Sequence, residues 1–95
     1  MKLPQCVEMT VTRAEFLRLL PAAVGGAAFV EETDAFLHGE QDRSWRIGFS
    51  ALPELRIGLV KLARHRVEFQ FDGYADGEID AFMARFEIYF RRGGG

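Results

Sequence analysis

The chain contains few residues of the types that would identify a catalytic or metal-binding function. Cys6 is the single cysteine, so no disulfide can form within the chain. Neither histidine stands with Cys6 at a spacing typical of metal ligands. No apolar stretch approaches the ~20 residues that cross a bilayer, and Pro4 and Glu8 interrupt any signal-peptide core. We therefore expect a cytoplasmic protein without a membrane span, a metal or a cofactor.

An excess of charge of one sign is also missing. Twelve Lys and Arg residues against fourteen Asp and Glu residues give a net charge of −2. This balance provides no overall attraction to phosphate backbones or anionic membranes, so neither partner is expected. No motif identifies a small-molecule ligand, and no activated nucleophile or paired acid and base indicates an enzyme.

The chain is rich, by contrast, in apolar residues. These make up 48% of the sequence and include nine Phe, enough for a hydrophobic core. Ninety-five residues without a linker or an internal repeat predict a single domain over residues 1–95. Within it, residues 1–10 are predicted to be a loose arm or a short edge strand, and residues 93–95 a glycine tail.

Alternation of apolar and polar residues predicts strands in the second half of the chain. In residues 67–71 three apolar side chains alternate with two polar ones, which places the apolar groups on one face of a sheet. Residues 44–51 alternate in the same way. The apolar positions of these two runs are Trp45, Ile47, Phe49, Val67, Phe69 and Phe71. The opposite face is predicted to carry Arg46, Arg56, Glu68 and Gln70.

A hairpin is predicted over residues 55–71, with its turn at the polar link of residues 63–65. Pro53 is placed in the connection before this hairpin, where its missing N–H donor does no harm. Residues 28–33 and 35–38 are predicted to form two more strands.

Two amphipathic helices are predicted, one before and one after the strands. Thr12 and Glu15 have the spacing of a capping box, and Pro21 predicts a kink or an end near Leu20. Asp76 is the predicted N-cap of the second helix. The apolar stripe of that helix consists of Ile79, Phe82, Met83, Phe86 and Phe90.

The order of these elements predicts the fold class. No strand–helix–strand crossover separates the later strands, so the sheet should be antiparallel and should meander. We predict an α+β domain with a four- or five-stranded antiparallel sheet and with the N- and C-terminal helices packed on one face.

A basic cluster is predicted at the tip of the hairpin, within residues 61–66. Its members are Lys61, Arg64, His65 and Arg66, and Arg91 and Arg92 could join them. The run 66–71 resembles the end of the signature strand of RNA-recognition motifs, and this resemblance implies a nucleic-acid contact. The alternatives are a protein contact and a solvated turn whose charges keep the hairpin soluble.

The chain ends in three glycines, Gly93, Gly94 and Gly95. A terminal diglycine resembles the tail of ubiquitin-like sulfur carriers, and the resemblance implies a carrier that is activated at its C-terminal carboxylate. The alternative is a helix cap followed by terminal residues without a function.

Self-association is the leading hypothesis at this point. A single sheet covered on one side leaves its other face and an edge strand open, and such surfaces are often covered by a second copy. Trp45 and Tyr74 are aromatic residues of the kind that interfaces favour. We therefore predict a non-catalytic protein-interaction module, a homodimer, with the diglycine carrier and a weak nucleic-acid binder as alternatives.

Overall fold

The computed structural model describes residues 5–94, with side chains as far as residue 91. The elements are β1 Gln5–Met9, α1 Arg13–Ala23, β2 Val30–Glu31, β3 Ala35–Gly39, β4 Ser44–Ile57, β5 Val60–Asp72 and α2 Asp76–Gly94. The strands form one antiparallel sheet in the order β1-β5-β4-β3-β2. The predicted α+β class with a five-stranded antiparallel sheet is confirmed. Strands β2 to β5 form the meander, and β1 pairs with β5 at one edge.

A capping box starts helix α1, as predicted. The Glu15 amide donates to the Thr12 hydroxyl at 3.1 Å, and the Thr12 amide donates to the Glu15 carboxylate at 3.1 Å. The hydrogen bond from the Thr12 amide is the larger cause that lowers the pKa of Glu15. Two amide donors that a bare helix end would leave open are thereby satisfied.

Helix α1 continues past Pro21 and ends at Ala23; Val24 is the C-cap, and Gly25 and Gly26 after it have positive φ angles. The Gly26 amide donates to the Pro21 carbonyl at 2.9 Å, and the Gly25 amide donates to the Ala22 carbonyl at 3.1 Å. This pair of bonds is the Schellman arrangement. Pro21 lacks only one backbone N–H donor, and it lies close to the end of the helix. The helix therefore continues past Leu20 instead of stopping there.

Helix α2 starts with Asp76 as its first helical residue, so Asp76 is not the N-cap that the sequence predicts. The Glu78 carboxylate accepts a hydrogen bond from the Ala75 amide at 2.9 Å and also pairs with Arg43. A reaching carboxylate in the first turn therefore caps the helix, and Arg43 connects it to the turn between β3 and β4.

Aromatic rings from both helices contact the same face of the sheet. The Phe16 ring of α1 lies 4.3 Å from the Phe49 ring, and the Phe86 ring of α2 lies 4.7 Å from the Phe69 ring. All four of these residues are buried. The Arg85 guanidinium of α2 also donates to the Ala22 carbonyl at the end of α1, at 2.9 Å. The core therefore lies between this face and the two helices.

The hairpin of β4 and β5 turns at Gly58 and Leu59, so the prediction of a turn at residues 63–65 is wrong. Gly58 has a φ angle of +59°, which a residue without a Cβ adopts at low cost. Residues 63–65 continue β5. Arg64 and His65 are half-buried there, in contact with Glu8 and with Phe49, and the glycine is the better turn signal.

A β-bulge interrupts the pairing of β4 with β5 at Pro53. Leu52 pairs with Arg64 and Leu55 pairs with Leu62, so two residues of β4 oppose one residue of β5. A proline is tolerated at a bulge because the extra residue makes no ladder hydrogen bond. Strand β4 therefore runs through Pro53, which the sequence placed in a connection.

The bulge reverses the alternation of side chains along β4. Before it, odd-numbered residues of β4 share the face of Phe49; after it, even-numbered residues do. Arg56 consequently lies on the face that the helices cover further along the sheet. The prediction that placed Arg56 on the opposite face, here called the outer face, is wrong.

Strand β2 is short and covers only Val30–Glu31 of the strand predicted at residues 28–33. Arg13 of α1 holds this strand in place. Its guanidinium pairs with the Glu31 carboxylate at 2.7 Å and lies over the Phe36 ring, 5.4 Å from the centroid. A side chain from α1 thus fixes the β2–β3 hairpin.

Candidate interaction surface

A two-stranded projection extends from one end of the sheet. Strand β1 pairs with β5 only as far as Met9 opposite His65, and β3 pairs with β4 only as far as Ala35 opposite Gly48. Residues 53–63, here called the hairpin arm, therefore have no neighbouring strand in the described part of the chain. The arm makes the molecule long, with extents of 48 × 25 × 24 Å.

The hairpin arm exposes large apolar side chains. Leu59 is fully exposed, Ile57 is 61% exposed, Val60 is 54% exposed and Leu55 is 39% exposed. The pairs Leu55–Leu62 and Ile57–Val60 place these groups on one face of the ribbon, apart from Leu59 in the turn. An exposed apolar patch of this kind marks an interaction site more often than a solvated surface.

The other face of the hairpin arm carries two cations. Arg56 and Lys61 are directly opposite each other in the register. Like charges at such a position destabilise a strand pair. Glu54 is the carboxylate that lies near them, with its oxygen 3.8 Å from the Arg56 guanidinium. This face is therefore suited to a surface that supplies a further carboxylate.

Arg64 fixes the base of the hairpin arm. Its guanidinium pairs with the Glu8 carboxylate of β1 at 2.6 Å and donates to the Pro53 carbonyl at 3.4 Å. His65 is also engaged, with its Nδ1 2.7 Å from the Val11 carbonyl oxygen and its ring stacked on a core phenylalanine. Both residues therefore serve the attachment of the arm.

The predicted basic cluster is not found at a hairpin tip. Lys61 lies inside the hairpin arm, and Arg64, His65 and Arg66 lie in the middle of β5. Alternation along β5 puts Arg64 and Arg66 on the outer face and Lys61 and His65 on the opposite face. The prediction of one basic surface at the tip is therefore wrong, because the turn lies elsewhere.

Arg91 does not join that cluster in the described structure. Arg91 forms an ion pair with Glu87 one helical turn before it. The side chain of Arg92 lies outside the described residues. Helix α2 continues through Gly94, and Gly95 lies outside the described residues. The diglycine carrier, whose tail would be Gly94 and Gly95, stays a prediction.

An apolar groove lies beside the base of the hairpin arm, between β1, α1 and α2. Its volume is about 530 Å³. The lining includes Val7, Met9, Leu19, Met83 and Phe90, with Glu87 at the rim. No described strand pairs with the outer edge of β1, which borders the groove. The sequence did not indicate this groove, because residues 1–10 show no clear period and three separate elements form it.

Apart from Glu15, the titratable groups with shifted pKa values lie at the other end of the sheet. The Ala75 amide and then the Arg43 guanidinium hold the pKa of Glu78 below its ordinary value, and Glu78 in turn raises the pKa of Arg43. Burial raises the pKa of the nearby Tyr74 hydroxyl. Each shift is explained by a helix cap or by packing, and none of these groups faces the groove or the hairpin arm.

Among the described residues there is neither a metal cluster nor a membrane-spanning helix. No group of three or more His, Cys, Asp and Glu side chains in that part of the chain could hold a metal ion. Within the same residues, no helix is both long enough and apolar enough to cross a membrane. No protein-family model, no curated protein and no solved structure matches the chain.

Proposed function

We propose that this protein is a small, non-catalytic interaction module that acts as a homodimer in the cytoplasm. The observation that carries the proposal is the hairpin arm, whose four exposed apolar side chains make no contribution to the buried core. An arm of this kind has a clear role only if another surface covers it. The exposed free thiol of Cys6 agrees with a reducing compartment.

The two strands of the hairpin arm also have open backbone edges. A two-stranded ribbon is marginally stable in water, and unpaired edge groups attract further chains. Natural proteins protect such edges with charges or with a covering element. In the hairpin arm, Glu54, Arg56 and Lys61 limit indiscriminate pairing, while the apolar face stays available to a specific partner.

An estimate of the energies indicates how large the interface must be. Complete burial of the exposed parts of the four side chains contributes roughly 5 kcal/mol for each arm. Two arms in a two-fold dimer contribute roughly 10 kcal/mol, whereas association itself costs about 4–15 kcal/mol. Arm burial therefore offsets the cost with little surplus, and a stable dimer requires a second surface on each copy.

Light scattering coupled to size-exclusion chromatography tests the proposal. We expect the mass of the wild-type protein to rise from monomer to dimer over roughly 1–200 µM, and Ile57→Lys to remain a monomer. Val30→Lys is the matched control, because Val30 is 64% exposed and lies at the opposite edge of the sheet from β1. A wild-type protein that is monomeric throughout this range would disprove the homodimer.

A further inference from the structure

We propose that the dimer forms by reciprocal seating, in which the hairpin arm of each copy lies in the apolar groove of the other. This inference rests on the proposed self-association and adds the surface that receives the arm. In a two-fold pair each copy supplies one arm and one groove, so both contacts are equivalent.

The hairpin arm and the groove agree in length. From Leu52 to the turn at Leu59 the arm rises by about six residues, or roughly 20 Å. Strand β1, which borders the groove, has five residues and a length of roughly 17 Å. An extended arm can therefore lie along β1 over most of its length. The open backbone edges of both elements are then next to each other.

The two surfaces are also at the same end of the molecule. The last pair of β1 with β5 is Met9 with His65, and the arm begins immediately beyond it. A two-fold axis beside this base lets each arm cross into the facing groove over a short distance. The arm cannot fold back into the groove of its own copy, because it continues β4 and β5 and Arg64 fixes its base.

The chemistry of the two surfaces is complementary. The apolar face of the hairpin arm matches the side chains of Val7, Met9 and Met83 in the groove. When the apolar face is seated, the cationic face with Arg56 opposite Lys61 points away from the groove, so neither cation is buried without a partner.

The number of apolar surfaces that are covered also favours this arrangement over contact between the two arms alone. A stable interface covers about 800 Å² on each partner. Arms that pack only on each other leave the groove of about 530 Å³ open. Reciprocal seating covers an arm and a groove on both copies, and so supplies the second surface that the energy estimate requires.

Mixing two disabled variants tests the reciprocal geometry. Ile57→Lys disables the hairpin arm, and Val7→Lys disables the groove at a position that is 40% exposed. Each variant alone is expected to be a monomer with native circular dichroism. An equimolar mixture keeps one intact arm and one intact groove, so we expect heterodimers with a Kd at least about tenfold lower than that of either variant alone.

Each result of the mixing experiment supports or overturns the inference. If Val7→Lys dimerises with the wild-type Kd, the groove is not the seat, and the inference is wrong although self-association stands. If the mixture associates no better than its components, the reciprocal contact is absent. A monomeric wild-type protein overturns both this inference and the proposed function.

Cross-linking provides a second measurement that does not depend on disabling either surface. In a Cys6→Ser background, a Leu59→Cys protein is mixed with a Met83→Cys protein and oxidised. We expect a mixed disulfide between the two, because the turn of the arm reaches the groove. Ile88→Cys is the control, since Ile88 is exposed on α2 but does not line the groove. Equal yields for positions 83 and 88 would overturn the proposed seat.

Discussion

Gly73 packs so closely against the β3–β4 turn that a residue with a Cβ would not fit there. Its φ angle is +81°, and a Cβ at this position would stand 2.2 Å from the Asp42 carbonyl oxygen and 3.0 Å from the Arg43 Cα. Both contacts involve backbone atoms, which cannot rotate away. The glycine therefore allows the end of β5 to pack against this turn, where Arg43 reaches the start of α2.

We predict that Gly73→Ala lowers the free energy of unfolding by at least about 2 kcal/mol, because it adds both strain and overlap. Gly77→Ala is the matched control: Gly77 lies in α2, no heavy atom lies within 4 Å of its ideal Cβ, and alanine favours a helix. That variant should be more stable by up to about 1 kcal/mol. Urea unfolding of both proteins measures the difference, and equal effects would contradict the prediction.

The Glu78 carboxylate makes the free energy of unfolding of the protein depend on pH in the acidic range. Its pKa is lower in the folded protein than in the unfolded chain, where it is near 4.5, mainly because of the Ala75 amide and then because of Arg43. Its contribution is therefore complete above the unfolded pKa and is lost as the pH falls through the folded pKa.

We predict that Glu78→Gln reduces this dependence. Between about pH 6 and about pH 3, the unfolding temperature of the wild-type protein should fall further than that of the variant, because the glutamine side chain does not titrate. Thermal unfolding monitored by circular dichroism measures the two slopes, and recovery of the signal at about pH 6 controls for irreversible damage. Parallel slopes would show that Glu78 makes no such contribution.

Whole elements could be predicted where their signals are local. The capping box of α1 and the apolar stripe of α2 each lie within one stretch of sequence, and both helices were found. The sequence does not indicate the turn at Gly58, because the polar residues Arg64 and His65 within a strand have the same local pattern as a turn. The bulge at Pro53 could not be predicted, because it is a property of the register between two strands.

We predict that the hairpin arm can be removed without unfolding the domain. Replacing residues 53–63 by Asn-Gly joins Leu52 to Arg64, which already pair, through a two-residue turn. The arm supplies no residue of the buried core, so the unfolding temperature should change by less than about 5 °C. Thermal unfolding measures this, with Val30→Lys as a control for a surface change. If the shortened protein loses its cooperative unfolding transition, the arm is needed for folding.

At the scale of the whole molecule, the arm explains why the chain is less compact than its length requires. The Cα radius of gyration is 13.8 Å, whereas a compact chain of this length has a radius of roughly 12.4 Å. The difference reflects the single projection rather than loose packing, because aromatic side chains from both helices are buried in the core.

We predict that small-angle X-ray scattering of dilute protein detects this projection. The monomer with the shortened arm should have a radius of gyration near the roughly 12 Å of a compact chain, and the monomeric Ile57→Lys protein should keep a larger value. Both proteins are measured at the same low concentration, so that association does not contribute. Equal radii would mean that the arm lies against the body of the protein in solution.

The candidate site is visible only at this scale. Leu55, Ile57 and Val60 have the same alternation in the sequence as core residues, and nothing local distinguishes them from Phe49 or Phe69. Their exposure results from the bulge, which turns Leu55 and Ile57 away from the face that the helices cover, and from β1 and β3, which end before the arm begins. The sequence could therefore indicate self-association in general, but it could not locate the surface.

The extra residue at Pro53 has a consequence for how insertions and deletions act on this protein. Loss of one residue there would remove the bulge but would leave Leu55 opposite Leu62 and Ile57 opposite Val60, so the aliphatic groups would stay on the outer face. The bulge therefore absorbs a one-residue deletion that, in an evenly paired strand, would transfer side chains to the opposite face.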